Sequence, residues 1–215
     1  EWLTYEFTTR KPDEAVAEMQ WEDLALPWTI RVDHIEDVYI SQLKNELRNS
    51  PGFNWQILNS AAQYALGFDK HLDTALAWAD MSISFPFVGQ PNFTTLSTKA
   101  AVLAKMGRDS EAKPIMEQAL NHPSTTRTQL HQYGRQLLIA GKKQEALDVF
   151  LINAKRNGDA WPVEVGLARG YLAVGDTSKA LEHAKKAAAQ APDPVNKRNL
   201  DAMVKALSEG KPFNN

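Results

Sequence analysis

Cysteine is absent from the 215 residues, which removes disulfides, thiol nucleophiles and thiolate metal ligation together. Charge of either sign is nearly balanced: 24 Lys and Arg against 26 Asp and Glu leave a net charge of -2. That is poor footing for a nucleic-acid binder, which normally carries a basic face. No stretch approaches the roughly 18 apolar residues that a membrane-spanning helix needs. Walker, Gly-x-Gly-x-x-Gly and Gly-x-Ser-x-Gly signatures are missing. The five histidines, His34, His71, His122, His131 and His183, show no H-E-x-x-H or comparable ligand spacing, so neither a metal nor a cofactor is expected. Asp and Glu scatter along helical faces with i,i+4 partners such as Glu182 and Lys186, the mark of solvated surface rather than of acid–base chemistry. The chain opens Glu1-Trp2-Leu3, with no initiator Met and no signal peptide. It therefore reads as a processed chain or a fragment that has lost any targeting signal. An apolar content of 43% and a charged content of 23% suit one domain, or a large domain with a small appendage.

What the sequence does contain is a period. Gly107, Gly141 and Gly175 recur at 34 residues, and Ala112, Ala146 and Ala180 follow each glycine by five. The segments before the glycines keep the same register: Leu96, Ala100 and Leu103; Leu130, Tyr133-Gly134 and Leu137; Leu167-Ala168 and Tyr171. A fixed 34-residue period of helix–turn–helix units is the signature of tetratricopeptide repeats, and the region from about Phe93 to Pro194 resembles that family. The expected fold is mainly α, an α-solenoid with a small N-terminal antiparallel β segment.

Small residues then have physical roles. Ala168 and Ala180 let two helices approach closely, Ala187 faces the next helix, Gly175 ends a helix in the left-handed conformation, and Pro192 stops the one after it. A degenerate unit precedes these over about 53–90. Trp55, Leu58, Ala62 and Ala65 form its first stripe, "LDTALAWADMSIS" its second helix, and "SFPFVGQPN" its loop. Gly67 lies eight residues before Ala75 rather than five, which leaves the first helix of this unit without a fixed register. The regular units cover 93–126, 127–160 and 161–194. A helix over 195–209, with Asp193 as cap and Leu200, Met203, Val204 and Leu207 on one stripe, shields the last repeat. Pro114 falls inside a second helix, and Asn153 stands where neighbouring units have Ala119 and Ala187, so it needs a partner if buried.

Residues 1–32 form a separate β segment in front of a helical domain over 33–210. "WLTYEFTT" places Leu3, Tyr5 and Phe7 on one face. Ala15, Ala17, Met19 and Trp21 alternate with Val16, Glu18, Gln20 and Glu22, and Trp28, Ile30 and Val32 share a face of a third run. These residues predict antiparallel strands whose aromatic face is covered by the first helices or by another chain, since an open aromatic hairpin is unstable and adhesive. Asp33 and Glu36 approach a capping box for the helix that follows. The stretch "EMQWEDLALPWTIRVD", this helix and "PGFNWQ" are similar to the C-terminal end of a bacterial domain of unknown function. That domain is often fused in front of tetratricopeptide repeats in exported proteins. The resemblance implies an exported, cell-envelope or periplasmic location and a domain lying mostly upstream of Glu1.

The tetratricopeptide resemblance also implies a concave groove lined by the first helix of each unit, where peptides bind. In this register the groove positions are Ser97 and Lys105, then His131, Arg135 and Leu138, then Val165, Arg169 and Leu172, with Gln56, Asn59 and Gln63 on the degenerate unit. The residues expected to bind a partner are Asn59, Gln63, Ser97, Lys105, His131, Arg135 and Arg169. Arg135 and Arg169 are one period apart, and two stacked guanidinium groups suit a carboxylate. The Lys/Asn clamp of chaperone-binding members is not reproduced. The expected function is a non-catalytic protein- or peptide-binding scaffold whose partner carries an acidic segment or a free carboxylate. The alternative is a structural or assembly module whose β edge pairs with a second copy or with the upstream domain. No nucleic acid, no transmembrane segment and no enzymatic activity are expected. The chain is expected as a monomer, or as a dimer through the β segment.

Overall fold

The computed structural model describes residues 2–211 and 213. Three strands open it, β1 (Thr4–Arg10), β2 (Glu14–Trp21) and β3 (Leu24–Arg31), as one antiparallel sheet in the order β1-β2-β3. Helices follow: α1 (Ile35–Glu46), α2 (Trp55–Leu66), α3 (Leu72–Ser84), α4 (Phe93–Lys105), α5 (Asp109–Asn121), α6 (Arg127–Ile139), α7 (Lys143–Asn157), α8 (Trp161–Ala173), α9 (Thr177–Ala189) and α10 (Pro194–Ser208). The breaks between helices fall at Pro51, near Asp69, across 86–92 and at each repeat turn. The mainly helical fold with a small N-terminal sheet is as expected. Two compact units divide the chain: 1–91 with 101–109, and 92–100 with 110–215.

In the first unit the sheet pairs Tyr5 with Met19 and Met19 with Leu26, and Phe7 with Ala17 and Ala17 with Trp28. Period-two alternation therefore gathers Tyr5, Phe7, Met19, Leu26, Trp28 and Ile30 on one face. The Tyr5 and Trp28 rings meet edge to face at 6.2 Å. Glu14 links the first turn to β3 through Lys11 at 2.8 Å and through Arg31. The Lys11 ammonium and the Arg31 guanidinium hold its carboxyl down to about 2. The expectation that the first helices cover the aromatic face is not met. Tyr5 is 65%, Trp21 54%, Phe7 51% and Trp28 43% exposed. The capping box expected at Asp33 does not form either. His34, in the left-handed region at φ 52, precedes α1 instead, and Glu36 and Asp37 each sit 2.8 Å from Lys70. A long-range ion pair has taken the side chain that the local rule assigned to the cap.

Alanines dominate where α2 and α3 cross. Ala61, Ala62, Ala65, Ala75 and Ala79 are buried with Ile40, Trp78 and Val102. Gly67 is right-handed at φ -63, and a short 3-10 turn at Asp69–His71 intervenes before α3. That turn accounts for the longer glycine-to-alanine spacing of this unit.

In the second unit each helix packs on its neighbours along the chain. Helix α6 touches α7 and α8, α8 touches α9, and α9 touches α10. Gly141 and Gly175 adopt φ 76 and 88 and close identical C-terminal turns. Lys142 N–H bonds Leu137 O at 2.9 Å, and Asp176 N–H bonds Tyr171 O at 2.9 Å. This paired-bond stop favours glycine because a Cβ is strained there. Ala168 and Ala180 are fully buried together, and Ala187 packs with Val165 and Leu200. Pro114 lies inside α5. Asn153 is buried and has its partners: its amide donates to Arg127 O at 3.1 Å, and its Oδ1 accepts from Asn157 at 2.8 Å. Arg156 donates to Leu120 O, His122 O and Thr125 O, and so closes the carbonyl end of α5 from α7.

Phe150 of α7 is the largest fully buried side chain. Its ring lies in a socket formed by three glycines. A Cβ on Gly134 of α6 would collide with it. One on Gly166 or Gly170 of α8 would stand 2.7 and 2.9 Å from it. Gly134→Ala should therefore destabilise the protein by about 1–3 kcal/mol through overpacking. Phe150→Ala should cost about 3–5 kcal/mol. Urea unfolding measures both, and a Gly134→Ala variant as stable as the parent would show that the socket is not close-packed.

Candidate functional site

The 34-residue period places equivalent positions of α6 and α8 side by side, and the structure uses this to build a cavity of about 200 Å³. His131 and Arg135 enter from α6, and Trp161, Val165 and Arg169 from α8. Asn196, Asn199, Leu200 and Met203 enter from α10, and Phe213 lies at its margin. Three of the residues expected from the sequence, His131, Arg135 and Arg169, thus share one site.

Two guanidinium groups meet at the cavity. Among the described residues neither Arg135 nor Arg169 has a carboxylate partner, whereas most lysines shown in ion pairs do their pairing locally. Burial, and then the charge of Arg135, push the Arg169 pKa down, although a guanidinium keeps its proton in proteins. His131 is held below its ordinary value by burial, then by Arg169 and Arg135, against a smaller opposing pull from the Pro162 backbone. Its ring packs 5.9 Å from that of Phe150, so the imidazole is a half-buried wall rather than a solvated surface group. Its Nδ1 and the Trp161 Nε1 are both buried without a hydrogen-bond partner. Positive charge, unpaired polar atoms and concavity coincide here, which is the arrangement that binds an anion.

The other expected residues lie elsewhere. Lys105 is tied down in the first unit: its ammonium donates to Leu66 O at 2.9 Å and pairs with Asp69 at 2.9 Å, closing the carbonyl end of α2. It is a helix cap, not a free groove cation. Asn59 is 3% exposed with its Oδ1 unpartnered, so it faces the interior rather than a groove. Gln63 is exposed on α2 in the same unit. Ser97 is half-buried and its hydroxyl donates to Thr94 O at 3.1 Å within α4. Leu138 and Leu172 pack against hydrophobic cores, whereas Val165 does line the cavity. The residues that sequence reasoning missed include Trp161, Asn196, Asn199, Leu200 and Met203. Leu200 and Met203 were legible as an apolar stripe, but nothing in a terminal helix signals that its first half completes a cavity.

Two further clusters carry titratable groups. Glu164 of α8, 2% exposed, meets His183 Nδ1 of α9 at 2.7 Å, and Tyr171 stacks on that imidazole at 5.4 Å. No hydroxyl of another residue bonds either group among the described residues, and the pair joins two helices. His34, Glu36 and Asp37 place ligand atoms within 4.8 Å of one another. The Lys70 ammonium, 2.8 Å from both carboxylates, already supplies the cation there. Among the described residues no helix is long and apolar enough to cross a membrane.

Because the folded state lowers the His131 pKa, protonation favours the unfolded chain. The stabilisation is complete above the unfolded value of about 6.5 and is lost as pH falls below it. The melting temperature should drop between about pH 7 and 5, and drop less in His131→Asn. Parallel pH profiles for the two proteins would contradict a neutral His131.

Comparison with protein-family models finds none that matches this chain, and comparison with curated proteins finds none significantly similar to it.

Proposed function

We propose that the helical repeats form a non-catalytic scaffold of the tetratricopeptide type, which binds a protein or peptide through an anionic group at the α6/α8 cavity. One observation carries the reading: Arg135 and Arg169, one period apart, line the same concavity with no carboxylate to neutralise them among the described residues. Like charges held together cost stability unless an anion joins them. Charge-assisted, bidentate hydrogen bonds make arginine the natural receptor for a carboxylate. A fluorescein-labelled peptide rich in Asp and Glu should bind with an anisotropy change that weakens as salt rises. Arg135→Ala with Arg169→Ala should reduce affinity at least about tenfold, while the helical signal and melting temperature stay close to the parent's. Equal binding by that variant would remove the reading.

The open sheet face favours a second reading, an assembly module. A fully exposed aromatic side chain offers about 150–250 Å². The half-exposed apolar residues of the sheet therefore present on the order of 800 Å², one partner's share of a standard interface. Light scattering on the eluting protein should then show a dimer, and Trp28→Glu should return it to a monomer. A parent chain that is monomeric at every concentration would exclude self-assembly through this face.

A further inference from the structure

Among the described residues that line the cavity, Phe213 alone stands outside a helix; the others belong to α6, α8 and α10. Packing fixes those helices. Phe150 sets α6 against α8, and Leu200, Met203 and Leu207, all buried, hold α10. Phe213 is held in another way. Helix α10 stops at Gly210, φ 65, where Lys211 N–H bonds Ala206 O at 2.9 Å, the paired-bond turn that also follows α6 and α8. A continued helix would carry residue 213 about 15 Å beyond Met203. Instead Phe213 packs against the cluster that contains Met203 and Leu207, so the chain has turned back along the helix it follows. Among the described residues Phe213 makes no hydrogen bond, and Lys211 pairs with Glu209, two residues before it. Apolar contact is what seats the ring.

We infer that Phe213 is a self-docked strap, which covers the margin of the α6/α8/α10 cleft in the free protein and leaves it when an anionic peptide docks on Arg135 and Arg169. This rests on the scaffold reading for the site and adds control of access to it. A peptide seated on both guanidinium groups extends beyond its anionic group and competes with the ring for the same concavity. The ring is half-buried. At about half the transfer free energy of a fully buried phenylalanine, the docked position is favoured over the released one by a factor of about ten. A peptide that needs the released position therefore binds about tenfold more weakly than the open cleft allows. The hold is strong enough to seat the ring and weak enough for a charge-assisted ligand to displace it.

Two measurements on the full chain test this, with the fluorescein-labelled peptide rich in Asp and Glu as the probe. In anisotropy titrations, Phe213→Ala should bind the peptide several-fold to about tenfold more tightly than the parent, with the helical signal unchanged. With 4-fluorophenylalanine at position 213, the ¹⁹F signal of the free protein should differ from its position in urea, and saturating peptide should move it toward that position. Equal binding by Phe213→Ala and the parent would overturn the strap and leave the scaffold reading standing. Weaker binding by Phe213→Ala would make the ring a ligand contact and also overturn the strap. So would a ¹⁹F signal already at the unfolded position in the free protein, or one that stays in place at saturation. Absence of binding by both proteins would remove the scaffold reading and the strap together.

Discussion

The Phe150 side chain sets the geometry on which the candidate site depends. Its ring fills the space that three glycines of α6 and α8 leave open, so α7 holds those two helices at the separation of an aromatic ring against bare backbone. Gly134 lies one residue before Arg135, and Gly166 and Gly170 flank Arg169 closely. The residues that permit close approach and the residues that carry charge are therefore sequence neighbours. His131 belongs to both, its ring lying near Phe150 and lining the cavity. Loosening the socket would change the spacing of the guanidinium groups.

Repetition explains why the charges meet. A sequence period places the same position of successive units side by side, and a cation written twice at that position forms a cationic pair in space. Several other cations have partners among the described residues. Lys70 sits between Glu36 and Asp37, Lys105 holds Asp69 and a helix end, and Arg156 is spent on three carbonyls. Arg135 and Arg169 have no carboxylate partner among the described residues, and half-burial raises the cost of leaving Arg169 so. The terminal helix α10 both covers the last repeat, through Met203 and Leu207, and brings an amide to the cavity edge.

The repeat architecture was legible in the sequence because steric rules act at fixed positions. Only glycine suits the helix stops at 141 and 175, and only small residues fit where Ala168 crosses Ala180. Arg135, Arg169 and His131 were legible for the same reason, as groove positions in that register. The parts that sequence reasoning missed or misassigned depend on partners far along the chain. Lys105 was read as a groove cation because nothing local shows that Asp69 and Leu66 O take it. Asp33 met the local rule for a cap, but Glu36 pairs with Lys70 across two helices. Asn59 falls on a helix face whose burial is set by packing, not by its own polarity. The half of the cavity that α10 builds lies outside the period, where register carries no information.

The most direct test is to observe the anion arriving. In a ¹H–¹⁵N spectrum of the full chain, the Nε–H signals of Arg135 and Arg169 and the indole signal of Trp161 report on the cavity from three sides. Titration with a peptide rich in Asp and Glu should move all three together along one saturation curve and leave the Trp21 and Trp28 indoles in place. Shifts confined to Trp21 and Trp28, or arginine signals that never move, would contradict anion docking between α6 and α8.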